Sequence, residues 1–423
     1  MWIKGGLIFD PVNNLQEVGD LHIQNELIAG VYPGGSSQRD GDVIDASGLW
    51  VLPGLIDMHV HLRDPGFEYK EDISSGSSAA AAGGVTTLAC MANTDPVNDN
   101  ASVTNYIIEK AKQVSVVRIF PVGAVTKGLK GKELAEMGLM KEAGIVAVSD
   151  DGQPIEDSSL LRRALEYAAT YDLPLISHCQ DKNLCASGVM NEGALSSLLG
   201  LPGIPAASED VMVARDIIVS KCTGIPIHIT HISTKGSVQI IRQAKEQGAN
   251  ITCDVTPHHL LLTEEQTRTY DTNAKMYPPL RGDEDRQALI EALKDTIIDC
   301  IATDHAPHAR DEKDLDFDLA PFGMIGLQTL LPAIMKMHLA YGIEFLRLLS
   351  CVTAHPARIL GIDGGDLGIG SRADVTLFDP RPTWTFTEED VLSKSKNSPF
   401  IGQEFAGRVI KTIVKGKTVF SGI

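Results

Sequence analysis

The chain has 423 residues, of which 43% are hydrophobic and 22% charged, and its 55 acidic and 37 basic residues give a net charge of −18. The apolar fraction is too high for a disordered chain, and no apolar run reaches the roughly 18 residues of a membrane span. The acidic balance argues against a nucleic-acid or anionic-membrane surface, because phosphate groups are bound by clustered lysine and arginine.

Both ends of the chain have the pattern of short strands separated by polar turns. Near the start, Leu7-Ile8-Phe9 is followed by the turn residues Asp10-Pro11. Near the end, residues 373–378 alternate at the period of a strand, and Val409-Ile410 and Thr412-Ile413-Val414 are again β-branched. The similar texture predicts one small β-sandwich-like domain built from residues 1–51 and 359–423.

The region between them, residues 52–358, alternates compact apolar runs with amphipathic segments of helix length. The eight runs are Val51–His61, Val85–Met91, Val116–Val122, Ile145–Ser149, Pro174–His178, Ile225–Ile232, Ile251–Thr256 and Ile298–Thr303. The clearest helical segments are Ser159–Thr170, Asp210–Cys222, Ser237–Gln247 and Arg286–Lys294. Eight strands alternating with helices predict an α/β fold, a closed parallel (β/α)8 barrel of the TIM type.

Ionisable and amide side chains stand where these runs end, which is where such a barrel places its chemistry. They are His59, His61, Asn93, Asp150, Asp151, His178, His231 and Asp304. His59 and His61 are two residues apart on one strand, so both imidazoles project to the same side. Four imidazoles and two carboxylates suit zinc, and one shared carboxylate would permit a site with two metal ions.

Five short motifs resemble the amidohydrolase superfamily in its dihydroorotase branch. The most specific are residues 57–66 (DMHVHLRDPG) and residues 303–308 (TDHAPH). Residues 148–152 (VSDDG) resemble the type I bacterial form, and residues 91–94 (MANT) and 278–281 (PPLR) also fit. The resemblance covers the whole chain, including the terminal strands.

The resemblance implies a ligand set for one or two zinc ions per subunit. His59, His61 and Asp304 would bind the first ion, and His178 and His231 the second. Asp151 would bridge them, where many relatives use a carboxylated lysine, and its neighbour Asp150 is the less expected ligand. Lys127 follows the third strand, which is the wrong position for such a lysine.

The resemblance also implies a substrate site. Arg63, Asn93 and His308 would hold the substrate carboxylate beside His61, and Phe322 and Gly323 would offer backbone groups to its ring. Tyr277 departs from the family, because many relatives carry an asparagine there that would hydrogen-bond the ring. Its phenol or a backbone group could substitute for that asparagine.

The reaction implied is the reversible interconversion of N-carbamoyl-L-aspartate and L-dihydroorotate, the third step of de novo pyrimidine synthesis. Zinc can lower the pKa of a bound water to about 7 and polarise a carbonyl. Asp304 would act as general base and then as general acid. The alternatives are a hydantoinase or allantoinase, which usually carry the bridging lysine, and a non-catalytic scaffold for aspartate carbamoyltransferase, which typically lacks zinc ligands.

Other residues have plainer interpretations. The seven scattered cysteines and an N-terminus without a signal pattern predict a reduced, cytoplasmic protein. A homodimer and a complex with aspartate carbamoyltransferase are family expectations. His258 and His259 are expected to stabilise the barrel mouth, His228 to be packed or hydrogen-bonded, and His305 to orient or support the neighbouring aspartate. Residues 308–322 form either a solvated loop or a flap that closes over substrate.

Overall fold

The structure is a computed structural model that describes residues 1–35 and 41–422. Its strands are β1 (Trp2–Asp10), β2 (Leu15–Gln24), β3 (Leu27–Pro33), β4 (Val43–Asp45), β5 (Trp50–Pro53), β6 (Leu55–Val60), β7 (Val85–Cys90), β8 (Arg118–Gly123), β9 (Ala147–Ser149), β10 (Leu175–Ser177), β11 (Met190–Asn191), β12 (Gly203–Ile204), β13 (Ile227–Ile229), β14 (Ile251–Val255), β15 (Cys300–Ile301), β16 (Val375–Thr385), β17 (Glu404–Val414) and β18 (Lys417–Ser421). Its α-helices are α1 (Ile73–Ala82), α2 (Ala101–Val114), α3 (Met137–Ala143), α4 (Ser158–Ala169), α5 (Lys182–Cys185), α6 (Ala194–Leu199), α7 (Ala207–Thr223), α8 (Lys235–Glu246), α9 (Pro257–Leu261), α10 (Asp283–Lys294), α11 (Arg310–Lys313), α12 (Leu330–Tyr341), α13 (Phe345–Ser350) and α14 (Ala354–Leu360).

Eight parallel strands form the predicted barrel, in the order β6-β7-β8-β9-β10-β13-β14-β15. The first and last strands meet through a parallel bridge between Val60 and His305, where the N–H of His61 donates to the carbonyl of His305 at 2.8 Å. Seven of the eight predicted apolar runs contain one of these strands, and the remaining run, Val116–Val122, covers all of β8 except its last residue, Gly123. The sequence-based prediction of a (β/α)8 barrel is therefore confirmed.

The four predicted helices are also present, with first turns that begin up to three residues earlier than expected. Helix α4 begins where the side chain of Asp157 accepts hydrogen bonds from the N–H groups of Ser159 and Leu160. Helices α7 and α10 carry acidic residues in their first turns. Such residues favour the positive end of the helix dipole but carry no apolar periodicity, so the sequence pattern misses them.

The terminal strands form one sheet, in the order β18-β17-β16-β5-β1-β2-β3, and β4 pairs with β1. Strand β5 joins the two ends of the chain, because it runs parallel to β1 and antiparallel to β16, where Leu52 lies opposite Thr376. Buried side chains from both ends share one cluster, including Ile8, Leu21, Val375 and Ile413. This confirms a small β domain made from both termini. The domain limits 1–51, 52–358 and 359–423 stay a prediction.

A segment between β16 and β17 returns to the barrel mouth. The hydroxyl of Ser393 donates to the carboxylate of Glu71, and the side-chain oxygen of Asn397 accepts from the N–H of His308 at 3.1 Å. The C-terminal region thus contributes contacts to the end of the barrel where its strands finish. None of the helices in residues 1–35 and 41–422 has the length and apolar character that crossing a bilayer requires.

Candidate metal centre and substrate pocket

Six candidate ligands lie together at the carboxyl ends of the barrel strands, and all six are buried. They are His59, His61, Asp151, His178, His231 and Asp304. His231 and Asp304, at strand ends, have φ values of 38° and 47°, a backbone region that residues other than glycine rarely adopt. This sharp change of direction turns their side chains into the mouth of the barrel.

Asp151 lies between two pairs of histidines. Its Oδ2 is 3.4 Å from the Nε2 atoms of both His59 and His61. Its Oδ1 is 3.3 Å from His178 Nδ1 and 3.4 Å from His231 Nε2. Each oxygen of this carboxylate therefore faces one pair, which is the arrangement expected of a bridge between two ions.

Asp304 faces only the first pair. Its Oδ1 is 2.9 Å from His61 Nε2 and 3.5 Å from His59 Nε2. The neighbour of the bridging carboxylate, Asp150, is instead fully engaged elsewhere. It accepts hydrogen bonds from the N–H groups of Val125 and Thr126, at 2.8 and 3.0 Å, and from the Thr126 hydroxyl.

The donor atoms fit a metal ion. Two groups of side chains could each hold a metal ion, namely His59 with His61 and Asp151, and Asp151 with His178 and His231. Within each group, the potential ligand atoms all lie within 4.8 Å of one another. His59 Nε2, which faces both Asp151 and Asp304, is buried without a hydrogen-bond partner among the described residues. Although burial lowers the pKa of His59, Asp151 and Asp304 raise it to about 10, so the site favours positive charge.

Further hydrogen bonds behind the site orient these candidate ligands. His59 Nδ1 lies 2.8 Å from the Thr230 hydroxyl, which donates to Asp254 at 2.9 Å. Because the hydroxyl uses its only proton to donate to Asp254, it must accept a hydrogen bond from Nδ1 of His59. Nδ1 therefore carries a proton, and Nε2 of a neutral His59 is free to bind a metal. Asp254 also accepts from the backbone N–H of His231 at 2.7 Å.

Sequence reasoning did not identify Thr230 or Asp254 as site residues. Asp254 is a carboxylate inside an apolar strand, and that polarity was the available signal. His228, predicted to be packed or hydrogen-bonded, lies 2.8 Å from both Asp254 and the Thr252 hydroxyl, which confirms that interpretation. His228 therefore helps to hold the Asp254 carboxylate in place behind the candidate ligands His59 and His231.

A cavity of about 340 Å³ opens beside the metal-site residues. Its walls include every residue predicted to contact substrate, together with four of the candidate ligands. The lining residues are His61, Arg63, Asn93, Asp151, Gly152, His178, Met276, Tyr277, Asp304, Ala306, His308, Pro321, Phe322 and Gly323.

Three polar side chains line one side of this cavity. Asn93 Oδ1 lies 2.8 Å from His61 Nδ1, which leaves the amide N–H groups of Asn93 for a ligand. Arg63 donates through Nε to the carbonyl of Pro307 at 3.2 Å, and its Nη2 lies 3.4 Å from His308 Nε2. Burial and the charges of Arg63 and Lys70 lower the pKa of His308 to about 3, so its ring is neutral near pH 7.

Tyr277 presents its ring to the cavity. The ring centroid lies 5.1 Å from that of His178 and 5.3 Å from that of Phe322. The hydroxyl donates to Cys185 Sγ at 3.3 Å, and burial raises the pKa of the phenol. The aromatic face is therefore the part that shapes the pocket in this structure.

Phe322 and Gly323 differ in what they can offer a ligand. The N–H of Gly323 donates to the carbonyl of Lys275 at 2.9 Å, and its own carbonyl accepts from Lys313 and Asn397, both at 3.0 Å. Within the described part of the chain, no hydrogen bond involves the N–H or the carbonyl of Phe322. The free backbone groups at this wall are those of Phe322.

The remaining candidates lie outside the cavity. His305 Nε2 lies 3.2 Å from Glu71, and its Nδ1 accepts from the N–H of Gly326, so it joins segments around the mouth. His259 Nε2 lies 3.2 Å from the carbonyl of Pro278, which it can hold in place. Lys127 pairs with Glu133 at the surface, and all seven cysteines are free thiols.

Comparisons with known proteins agree with this geometry. The sequence model of the Dihydro-orotase-like family matches residues 48–237. Proteins named dihydroorotase from Geotalea daltonii and Geobacter metallireducens are 52% and 53% identical over 419 and 418 residues, which is 99% of both chains in each case.

Solved structures share the fold at lower identity. The L-hydantoinase (dihydropyrimidinase) of Arthrobacter aurescens is 24% identical and superposes with a TM-score of 0.89 over 99% of this chain and 96% of that one. The dihydropyrimidinase of Brevibacillus agri is 22% identical, with a TM-score of 0.85 over 99% of this chain and 95% of that one. At these identities the likeness shows the fold alone. With half of its residues identical to those of dihydroorotases over almost its whole length, the chain belongs to the dihydroorotase family.

Proposed function

We propose that the chain is a zinc-dependent dihydroorotase that interconverts N-carbamoyl-L-aspartate and L-dihydroorotate plus water. The observation that carries the proposal is Asp151, whose two carboxylate oxygens each face a separate pair of buried histidines. Beside that centre is a pocket lined by Arg63 and Asn93, which suit a carboxylate substrate.

His59, His61 and Asp304 would hold one ion, and His178 and His231 a second, with Asp151 between them. Imidazole nitrogens and carboxylate oxygens are ligands that zinc accepts. A bound zinc ion polarises a carbonyl and makes water a stronger nucleophile at neutral pH. Whether one or both positions are filled depends on how firmly an aspartate bridge holds the second ion.

Asp304 would move the protons. In the hydrolytic direction, a water oxygen forms a bond to the ring carbonyl carbon and the bond from that carbon to nitrogen breaks. Asp304 takes a proton from the attacking water and delivers it to the leaving nitrogen. In the cyclising direction, the same carboxylate returns these protons and water leaves.

The other end of the substrate would be bound by Arg63, Asn93 and His308. Arg63 supplies positive charge, and Asn93 has amide N–H groups that its contact with His61 leaves free. His308 is neutral near pH 7, so it offers a polar ring beside Arg63 without adding a second positive charge. The free N–H and carbonyl of Phe322 would pair with the polar edge of the ring.

The proposal extends to the surroundings of the enzyme. Free thiols at all seven cysteines suit a reducing compartment, and we propose a cytoplasmic location. We also propose a homodimer and an association with aspartate carbamoyltransferase, which are expectations from the family resemblance. Light scattering of the purified chain, alone and mixed with that enzyme, tests both.

Turnover of dihydroorotate, hydantoin and allantoin by the purified protein, together with its zinc content, tests the function. We expect bound zinc and a kcat/KM for dihydroorotate that exceeds the other two by at least about 100-fold. Selective turnover of hydantoin would favour a hydantoinase instead. Absence of both zinc and turnover would favour a non-catalytic scaffold.

A further inference from the structure

One wall of the pocket is held from behind by buried side chains. We call residues 317–323 the substrate wall, because its end, Pro321 to Gly323, lines the cavity. Four carbonyls of the wall and that of the neighbouring residue Ala306 accept hydrogen bonds from three side chains. The three donors are Lys275, Lys313 and Asn397. These three residues come from separate parts of the chain.

Lys313 holds the end of the wall. Its Nζ donates to the carbonyls of Pro321 and Gly323, at 2.8 and 3.0 Å. Only 6% of the residue is exposed, and among the described residues no carboxylate lies within ion-pair distance of its ammonium. Burying an unpaired lysine is unfavourable, so this placement indicates a specific role for its hydrogen bonds.

Lys275 holds the beginning of the wall. Its Nζ donates to the carbonyls of Phe317 and Asp318, at 2.6 and 3.1 Å. The same ammonium lies 4.7 Å from the ring centroid of Phe322, and the Lys275 carbonyl accepts from Gly323. Lys275 is 2% exposed. Like Lys313, it forms no ion pair within the described residues.

Asn397 joins the wall to the residue predicted to bind the substrate carboxylate. Its Nδ2 donates to the carbonyls of Gly323 and Ala306, at 3.0 and 3.1 Å, while its Oδ1 accepts from the N–H of His308 at 3.1 Å. One buried amide therefore sets the spacing between His308 and the wall.

We infer that Lys275, Lys313 and Asn397 are positioning residues that hold the substrate wall and His308 in their binding shape before substrate arrives. The inference rests on the proposed function. Because the three side chains occupy the carbonyls behind the wall, the free N–H and carbonyl of Phe322 remain for the substrate. A wall built in advance need not lose conformational entropy when substrate binds.

This role predicts a particular kinetic signature. In the described part of the chain none of the three side chains hydrogen-bonds a candidate metal ligand, so their loss should weaken binding of substrate and transition state alike. Such a loss raises KM and leaves kcat nearly unchanged. It should also increase amide exchange in the wall without affecting bound metal.

The first test is Lys313→Met, which removes the donor and keeps most of the side-chain volume. We expect KM for dihydroorotate to rise about tenfold or more, while kcat changes by less than about threefold. Hydrogen exchange in peptides covering residues 317–323 should be faster, and zinc content should equal that of the unmodified protein. Lys336→Met is the matched control, because Lys336 lies on helix α12 and donates to the side chain of Gln403 rather than to the wall.

Asn397→Asp is a second, independent test that also serves if Lys313→Met does not fold. It keeps an acceptor for the N–H of His308 but removes the donor to Gly323, so the same rise in KM is expected. Unchanged KM and unchanged exchange in a folded, active variant overturn the inference. If the proposed function itself is wrong, the unmodified protein will not turn over dihydroorotate, so this outcome is distinct from a failure of the inference.

Discussion

Asp150 and Asp151 show how adjacent residues of one type acquire different tasks. The side chain of Asp150 accepts hydrogen bonds from Val125 and Thr126 and supports a loop. That of Asp151 points the other way, among four histidines. Both residues follow strand β9, and their side chains point in different directions, so only Asp151 reaches the histidines.

Replacing each aspartate separates these tasks. Asp151→Asn should release much of the bound metal and lower kcat/KM by about 100-fold or more, because it removes the charge between the two histidine pairs. Asp150→Asn should retain the metal and mainly lower the melting temperature. Metal analysis, turnover and thermal unfolding of both variants check this, and the reverse pattern would contradict the assignment of the bridge.

Tyr277 is the other informative residue, because the family resemblance led us to expect an asparagine at this position. Its hydroxyl contacts Cys185, so Tyr277→Phe should change KM by less than about threefold and cost roughly 1 kcal/mol of stability. Tyr277→Asn removes the ring that lies between His178 and Phe322 and should raise KM more strongly. Steady-state kinetics of the two variants decide whether the ring or the hydroxyl shapes the site; a large effect of Tyr277→Phe would indicate that the hydroxyl contacts substrate.

At the scale of elements, the ends of the barrel strands and the substrate wall play different parts. The strand ends carry the candidate ligands, which the barrel backbone holds in place. The wall has little secondary structure of its own and depends on side chains, among them Lys313. Burial and the nearby Lys275 lower the pKa of Lys313 to about 7. The stability of the wall should therefore depend on pH.

The sign of that dependence follows from proton binding. Between pH 7 and the unfolded-state value of 10.5, the unfolded chain holds a proton that buried Lys313 has lost. Unfolding then takes up protons, so this residue makes the folded state more stable as pH rises through that window and less stable toward pH 7. Urea unfolding should give a larger free energy of unfolding at pH 9.0 than at pH 7.5. The variant Lys313→Met should reduce this increase by up to about 1 kcal/mol per pH unit. The control Lys336→Met should keep the full gain; an equal gain in both variants would contradict the prediction.

At the scale of the whole molecule, the two ends of the chain act together with the barrel. Strand β5 links the terminal sheet directly to the first barrel strand, and the segment around Ser393 and Asn397 contacts the mouth. The metal site is the other place where distant segments meet, since its six candidate ligands come from five barrel strands. Both features should contribute to the stability of the full chain.

Removal of metal should therefore destabilise the molecule. Without an ion, some buried nitrogen atoms of these histidines have no hydrogen-bond partner, which is unfavourable in the folded state. The buried carboxylates also lose the positive charge of the ion. We expect a chelator to lower the melting temperature by several degrees and zinc to restore it, because a ligand that binds only the folded state stabilises it. Differential scanning calorimetry measures the shift. The variant His59→Ala should respond less, and equal responses would argue against His59 as a ligand.

The sequence by itself determined the architecture and brought the candidate ligands to one place. Strand and helix periodicities are local properties, and a parallel barrel gathers the ends of its strands at one mouth. His59, His61, His178, His231 and Asp304 could therefore be assembled from their positions in the chain alone. Other features could not be obtained this way. The family resemblance already favoured Asp151 over Asp150, and the tertiary structure shows that Asp151 is the one that faces the histidines. The tertiary structure alone decided that Tyr277 presents its ring to the cavity, that the Lys313 ammonium folds back onto the nearby wall, and that Asn397 supports a wall far from it in sequence. These are hydrogen bonds and side-chain directions between separate segments, and local periodicity carries no information about them.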